Sequence, residues 1–418
     1  MQDAKEVPFR GFRDKQNEVD FRKTYLKNKT MNYNFDEIIP RRGSYSYKWD
    51  LAKDGDVLPM WVADMDFRTA PPIIEALTKR AQHGIFGYTK VPDAYYDAVI
   101  GWFDRRHGLK VQRDWILVST SVVPAVSAII KALTTPGDQV IIQSPVYNCF
   151  YSSIRNNECE TVSNDLIYND GDYSINFEEL EKLAANPKAK LLLFCSPHNP
   201  AGRVWTKDEL KRVGDICIRN SVIVISDEIH CDLVFEGHKH IPFATLGNEY
   251  LQHSITCVAP SKTFNTANLH TANIFAADPE IRKRIDKALN VNEVCEIGAF
   301  GVDGLIAAYN DSEEWLNQLI KYLHENYIFL KNFFEEHLPF IKVTPLQATY
   351  LVWIDCSALG KSSSELGDML LINEKLLLNK GIIYGANGDS FLRINIACPR
   401  ALLIEGLNKI KNAFTTAV

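Results

Sequence analysis

Three polar residues of this 418-residue chain each stand close behind a short apolar run: Asn199 after Leu191–Cys195, Asp227 after Val222–Ser226 and Lys262 after Ile255–Val258. An amide, a carboxylate and an amine at neighbouring strand ends suit an aldehyde-bearing heterocycle. The Lys262 amine would condense with the aldehyde, Asp227 would keep a ring nitrogen protonated, and Asn199 would donate to a ring oxygen. Pyridoxal 5'-phosphate has these features and adds a phosphate that needs clustered donors. Singly, each residue reads as a solvated strand end; their shared edge is what points to chemistry.

That edge depends on the elements around it. From about Thr69 onward helical periods alternate with β-branched or aliphatic runs, which predicts a mostly parallel sheet covered by helices. Val140–Ile142, Leu191–Cys195, Val222–Ser226 and Ile255–Val258 are continuously apolar, as strands buried on both faces must be. Ligands of open parallel sheets gather at the carboxyl ends of such strands. Thr69 with Pro71 and Pro72 predicts a capped helix that Gly84 ends, and Asn176/Glu179 and Thr206/Glu209 predict capping boxes. A helical stretch over Ser312–His337, stopped by Pro339, leads into a compact α+β unit. That unit has strand-like Thr349–Asp355, a helix around Glu365–Asn379, a turn at Gly385–Gly388, strand-like Phe391–Ala397 and a last helix. The expected fold is α/β: a large domain over 69–310 with a mostly parallel, helix-covered sheet, and a smaller α+β C-terminal domain over 311–418. Residues 1–30 read as an N-terminal arm, and 31–68 as a segment that joins the small domain and borders the substrate.

Composition narrows the function classes. With 46% apolar and 23% charged residues, and apolar runs no longer than a strand, neither a disordered chain nor a membrane protein fits. A net charge of −6 argues against nucleic acid as partner and leaves a small molecule. Nine cysteines without CxxC spacing read as reduced thiols in a reducing, cytoplasmic compartment. Residues 1–30 hold eight Lys/Arg and five Asp/Glu without an apolar core, unlike a secretory signal. His230, Cys231, His238 and His240 invite a zinc test; His238 and His240 would share a strand face, but the spacing is poor and no metal is expected. The absence of GxGxxG behind the first strand speaks against a nicotinamide dehydrogenase.

Ordered motifs add a resemblance. They are Asn32-Tyr-Asn-Phe-Asp36, Lys48-Trp-Asp50, Met60-Trp-Val-Ala-Asp-Met-Asp-Phe67, Phe86-Gly-Tyr-Thr89, Ser196-Pro-His-Asn-Pro-Ala-Gly-Arg203, Ser226-Asp-Glu-Ile-His-Cys-Asp-Leu-Val234, Ala259-Pro-Ser-Lys-Thr-Phe-Asn265 and Leu392-Arg-Ile-Asn-Ile-Ala-Cys-Pro-Arg400. Over residues 31–418 the chain resembles fold-type I pyridoxal-phosphate enzymes of the class I/II aminotransferase-like family. Within it, the Met60–Phe67 segment resembles the MalY/PatB-type cystathionine β-lyases.

The resemblance implies roles. Lys262 would be the Schiff-base lysine and, once displaced by substrate, the base at Cα; Asp227 would pair with the ring nitrogen and Asn199 with the ring oxygen. Tyr147 would stack on the ring, and His230 would support Asp227 beside the cofactor. The amides of Ser121, Val122 and Val123 at a helix start, with Ser261, would hold the phosphate. Tyr88 would reach the phosphate from a neighbouring subunit and act in catalysis there, which implies a homodimer with shared sites. Arg393 would clamp the substrate α-carboxylate, with Trp61, Ala63 and Asn199 also lining the substrate, and Asp64 having no catalytic part. The chain departs from the family pattern at Ser121 and Asn268, where glycine is usual, and at Asn148-Cys149 after Tyr147.

Two outcomes share these residues. Loss of the Cα proton followed by expulsion of a β-thiolate leaves aminoacrylate, which water hydrolyses to pyruvate and ammonia; proton return to the cofactor gives transamination. The Met60–Phe67 segment favours β-elimination from L-cystathionine or a related S-substituted cysteine, with a class I/II aminotransferase as the alternative. A cofactor-bound regulatory protein is a third class, but every expected catalytic position is filled.

Overall fold

The apolar runs become a seven-stranded sheet in the computed structural model, which describes residues 32–51 and 55–415. Its strands are β1 (Ile116–Ser119), β2 (Gln139–Ile142), β3 (Glu160–Ser163), β4 (Ala189–Cys195), β5 (Ile223–Asp227), β6 (Ser254–Val258) and β7 (Ala272–Ala276). Their spatial order is β1-β7-β6-β5-β4-β2-β3. Strand β7 runs antiparallel to β1 and β6, and the remaining pairs are parallel.

Continuous apolarity has the predicted cause. Successive strand side chains point to opposite faces, and in β4 Leu191, Leu193 and Cys195 enter one core cluster while Leu192 and Phe194 enter the other. Helix α3 (Val122–Leu133) covers the first face through Val126, Ile129 and Ile130. Helices α4 (Phe177–Ala184) and α5 (Lys207–Arg219) cover the second through Leu180, Leu210 and Val213. Each such buried side chain contributes about 1.5–3 kcal/mol.

Helix ends follow local chemistry with two corrections. Thr206 and Glu209 form a complete capping box, whereas Asn176 accepts the Glu179 N–H without a reciprocal bond. Thr69 is not the cap of helix α1 (Pro71–His83): Ala70 takes that place, and the Thr69 hydroxyl donates to the Phe264 carbonyl at 2.6 Å. Gly84, at φ +74°, ends α1 as expected, and α2 (Asp93–His107) follows.

Helix α6 (Glu313–His337) precedes a four-stranded antiparallel sheet of β8 (Lys342–Val343), β9 (Leu351–Asp355), β10 (Asn379–Lys380) and β11 (Phe391–Asn395), ordered β8-β9-β11-β10. The helix expected to reach Asn379 is shorter: α7 covers Ser363–Glu374 and stops where Lys375 takes φ +54°. Leu376 and Leu377 then pair in parallel with Leu58 and Pro59, a long-range contact that overrides the helical pattern. Helix α8 (Arg400–Thr415) is the last described element. The described residues from Phe35 onward form one compact unit, and the arm expected over 1–30 lies outside the described residues. All nine thiols are free, and no described helix is long and apolar enough to cross a membrane.

Candidate active site

Sheet register brings the three polar strand ends together. Cys195 of β4 pairs with Asp227 of β5, and Asp227 with Cys257 of β6, so Asn199, Asp227 and Lys262 leave one edge. The Asp227 carboxylate is buried and accepts the Ile229 N–H at 3.1 Å. Burial pushes this carboxyl up to about 7, against the pull of that N–H and of Lys262. Lys262 Nζ donates to the Ala63 carbonyl at 2.7 Å. Burial and then Arg393 lower its amine to about 8, while Asp64 and Asp227 oppose the shift. The site thus holds an acid and a base both displaced toward neutrality, the pattern that marks functional groups.

Arg393, in β11, reaches the same place. Its Nη1 donates to Asn199 Oδ1 at 3.0 Å, which leaves the Asn199 NH2 as the donor for a ligand, and its Nη2 donates to the Trp61 carbonyl at 2.9 Å. The guanidinium stands 5.0 Å from the Tyr384 ring centre and its buried Nε has no partner. Among the described residues no carboxylate pairs with it, so a buried cation faces inward without an anion.

The segment bordering this cation is strapped by side chains. Asn379 Nδ2 also donates to the Trp61 carbonyl, Asn395 Nδ2 to those of Val62 and Asp64, the Tyr350 hydroxyl to Ala63 at 2.9 Å, and Asn265 Nδ2 to Met65 and Phe67. Trp61 Nε1 donates to the Lys48 carbonyl at 3.3 Å. Lys48 is itself buried, 2.7 Å from Asp66, and Arg41 bridges Asp64 and Asp66 at 2.7 and 2.6 Å. Asp64 therefore belongs to an ion network behind the border.

The residues expected to hold a phosphate are also brought to this edge. Because β7 is antiparallel to both β1 and β6, β1 and β6 point the same way, and the start of α3 opens on the Lys262 edge. Ser121 stands at its N-cap with extended backbone, φ −168°, so its side chain introduces no strain where glycine was expected. Its hydroxyl makes no cap bond, and the amides of Ser121, Val122 and Val123 have no helical acceptor. Ser261 is half-buried next to Lys262. Asn268 is exposed and outside the left-handed region, so that departure too costs nothing.

The other expected residues fall as follows. Tyr147, behind β2, is half-buried; burial, Cys149 and Asp227 push its phenol up while Arg393 opposes, which puts it among the site's charges. His230 is buried with Nδ1 unpartnered, its ring edge-on to Tyr350 at 6.2 Å; it is lowered to about 3 by burial, Lys262 and Arg393, and it forms no described hydrogen bond with Asp227. Tyr88 is wholly exposed, on a segment where Phe86 stacks on Phe300 at 5.8 Å, and it is not brought to this chain's Lys262 by any described contact. His238 and His240 do not share a strand face: their segment is irregular, His238 is exposed, and His240 is buried 3.0 Å from Glu228. Sequence reasoning missed Tyr350, Asn379 and Tyr384, which hold the Trp61–Ala63 carbonyls or underlie Arg393; their spacing carries no signal.

The model of the aminotransferase class I and II family matches residues 56–410. The chain belongs to this family. Cystathionine beta-lyase PatB of Bacillus subtilis (strain 168) is 43% identical over 386 residues, covering 91% of this chain and 100% of the relative. Protein MalY of Escherichia coli (strain K12) is 33% identical over 387 residues, covering 91% and 98%. The structure of cystalysin from Treponema denticola, which contains a pyridoxal 5'-phosphate cofactor, superposes with a TM-score of 0.90 at 37% identity over 92% of this chain and 100% of that one. Both the resemblance read from the motifs and the fold class expected from the strand pattern are borne out for this member of the aminotransferase class I and II family.

Proposed function

We infer that this chain is a pyridoxal-phosphate-dependent carbon–sulfur β-lyase that acts on L-cystathionine or a related S-substituted cysteine and yields a thiol, pyruvate and ammonia. The observation that carries this reading is the meeting of Lys262, Asp227, Asn199 and Arg393 at one edge in a chain 43% identical to a cystathionine beta-lyase along its length. The relatives named cystathionine beta-lyase also make the aminotransferase alternative the less favoured one.

The residues fit the cofactor. Asp227, raised by burial, gains a partner from a cationic ring nitrogen; the open amides at the start of α3 and Ser261 suit a phosphate; and the unpartnered Arg393 Nε suits a substrate carboxylate. Bound pyridoxal phosphate supplies an electron sink for the pair left at the substrate Cα. Lys262, with its amine near neutrality, takes the Cα proton. Arg393 fixes the α-carboxylate in a forked pair, and Tyr147 covers the ring face. The straps on Trp61–Ala63 fix the wall beside them.

In this reading residues 69–310 hold the cofactor, while 31–68 and 311–418 border the substrate. Tyr88 completes the site of a second copy in a homodimer, a role supported by its full exposure here. Nine free thiols suit a reducing cytoplasm. The test is direct: purified protein with L-cystathionine should release pyruvate and thiol together, and Lys262→Ala should remove both turnover and the visible absorbance of the bound cofactor. Keto-acid-dependent amino exchange without pyruvate would overturn the lyase reading.

A further inference from the structure

Behind the site lies a buried carboxylate with no part in the chemistry above. Asp232 stands five residues after Asp227, its side chain 1% exposed. Oδ1 accepts from the Trp102 indole at 3.1 Å and lies 2.7 Å from His107 Nε2 and 3.7 Å from Arg106 Nε, all three on α2. Oδ2 accepts from the Thr263 hydroxyl at 2.9 Å, and Thr263 directly follows Lys262. Burial would raise this carboxyl, yet the His107 bond and charge, Arg106 and Thr263 hold it below the usual range. His107, Cys231 and Asp232 have ligand atoms within 4.8 Å of one another, but three donors already engage Oδ1 and one of them is a cation, which disfavours a metal.

The geometry points to Asp232 as a positioning residue for Lys262, acting through the Thr263 hydroxyl. One carboxylate ties three elements: the turn that begins at Asp227, the turn that carries Lys262, and helix α2. The Asp227 turn is itself closed by backbone bonds from Cys231 to Glu228 and from Leu233 to His230, so Asp232 sits at its far end on fixed backbone. Phe264, the next residue after Thr263, packs edge-on to Trp102 at 5.7 Å, so the lysine turn meets α2 through an apolar contact as well as the polar one. Asp232 does not act on the amine by its field. The charged and titratable groups that bear on Lys262 are Arg393, Asp64, Asp227 and Cys149. Its effect is on where the turn holds Nζ, and a displacement of about 1 Å in a catalytic group costs up to about 100-fold in rate.

The inference rests on the lyase reading, and its test separates the two. Thr263→Val removes the hydroxyl at constant shape; Thr263→Ser keeps it. Cofactor loading is followed by visible absorbance, with kcat, KM for L-cystathionine and thermal unfolding measured in parallel. The expected result is loading and kcat lowered by about 10- to 100-fold in Thr263→Val with KM changed far less, and recovery in Thr263→Ser. Parental loading and kcat in Thr263→Val at a lower Tm would make the contact merely structural and overturn the inference. Equal defects in both variants would overturn it too, because the hydroxyl would then be irrelevant. Should Thr263→Val not fold, Trp102→Phe, which removes a donor from the other oxygen, decides by the same measurements: lowered loading and kcat support the brace, parental values refute it. Keto-acid-dependent amino exchange without pyruvate release by the parental protein would sink the lyase reading itself, whatever the Thr263 variants do.

Discussion

Asp227→Asn should stabilise the cofactor-free chain while abolishing turnover, and the gain should grow with pH. Burial raises the Asp227 carboxyl from 3.8 to about 7 in the folded chain. A group raised on folding contributes stability below its unfolded value, and that contribution is lost as pH rises toward the folded value. Ionisation therefore penalises the folded state from about pH 4 upward and levels off above about pH 7. Taking about 1.36 kcal/mol per unit, the penalty is about 2 kcal/mol at pH 5 and grows by about a further 2 to 3 kcal/mol by pH 8. Asparagine keeps an acceptor for the Ile229 N–H and never ionises, so the variant escapes the penalty. With about 2.1 cal/mol/K per residue for unfolding, 418 residues give about 0.9 kcal/mol/K, so Asp227→Asn should gain about 3 °C more in Tm at pH 8 than at pH 5. Lys262 loses one favourable charge in the variant, which trims the gain. Differential scanning calorimetry of the cofactor-free parent and variant at both pH values measures it. A pH-independent difference, or a variant less stable at pH 8, would refute the account of Asp227 as a charge held in a desolvated site. With cofactor added, the order should reverse, because the ionised carboxylate then has a cationic ring nitrogen to pair with.

Three further perturbations probe other parts. Arg393→Lys replaces a planar fork by a point charge and drops the bonds to Asn199 and Trp61; kcat/KM for L-cystathionine should fall by about 100-fold, mostly through KM, and an unchanged KM would remove Arg393 from the carboxylate clamp. Lys48→Met leaves Asp66 with Arg41 and Trp49 but without its buried ammonium, and should cost about 3 kcal/mol in denaturant unfolding; a loss under about 1 kcal/mol would show that Arg41 alone neutralises the pair. Mixing the inactive variants Lys262→Ala and Tyr88→Phe tests the shared site: random reassociation should restore about a quarter of the parental activity, because one site in each mixed dimer is intact, and no recovery would confine each site to one chain.

What was readable beforehand divides along a physical line. Leu191–Cys195 declares itself as a doubly buried strand because burial on both faces leaves its mark on consecutive residues, and Thr206 with Glu209 declares a helix start because the capping bonds join neighbours. Both signals are local. The direction of β7 is not, since Ala272–Ala276 has the same apolar run whether its partners are parallel or antiparallel. Nor is the end of α7, which yields to pairing with Leu58 across more than three hundred residues of sequence. At the site, Lys262, Asp227 and Asn199 were legible because each ends or closely follows a strand. The Tyr350 bond to the Ala63 carbonyl spans 287 positions, and no spacing rule reaches that far. The Ser121 departure needed the backbone angle to judge: a side chain there would matter at positive φ, but φ is −168°.

The charges of the site explain which part of a substrate it must recognise and which part it leaves open. Lys262 and Arg393 lie together where burial lowers the amine, and their joint field, after burial, holds His230 at about 3, so that ring is neutral. Two carboxylates bear on the amine: Asp227, itself displaced by burial, and Asp64, which is paired with Arg41 and stands 3.6 Å from Lys48. Two cations against one reluctant anion and one already neutralised leave a positive excess in a desolvated pocket, and such an excess selects ligands that bring negative charge. In the proposed reading a phosphate at the start of α3 and an α-carboxylate at Arg393 would meet that demand at separate points. Nothing in this balance reads the sulfur substituent. In the proposed reading that choice would fall to the walls beside the charges, and Cys149 is a candidate because it stands where the family pattern has a different residue and bears on Tyr147, Lys262 and Tyr384. Substitution at Cys149 should therefore redistribute activity among S-substituted cysteines while leaving the requirement for a free α-carboxylate intact, because the two demands are met by different atoms.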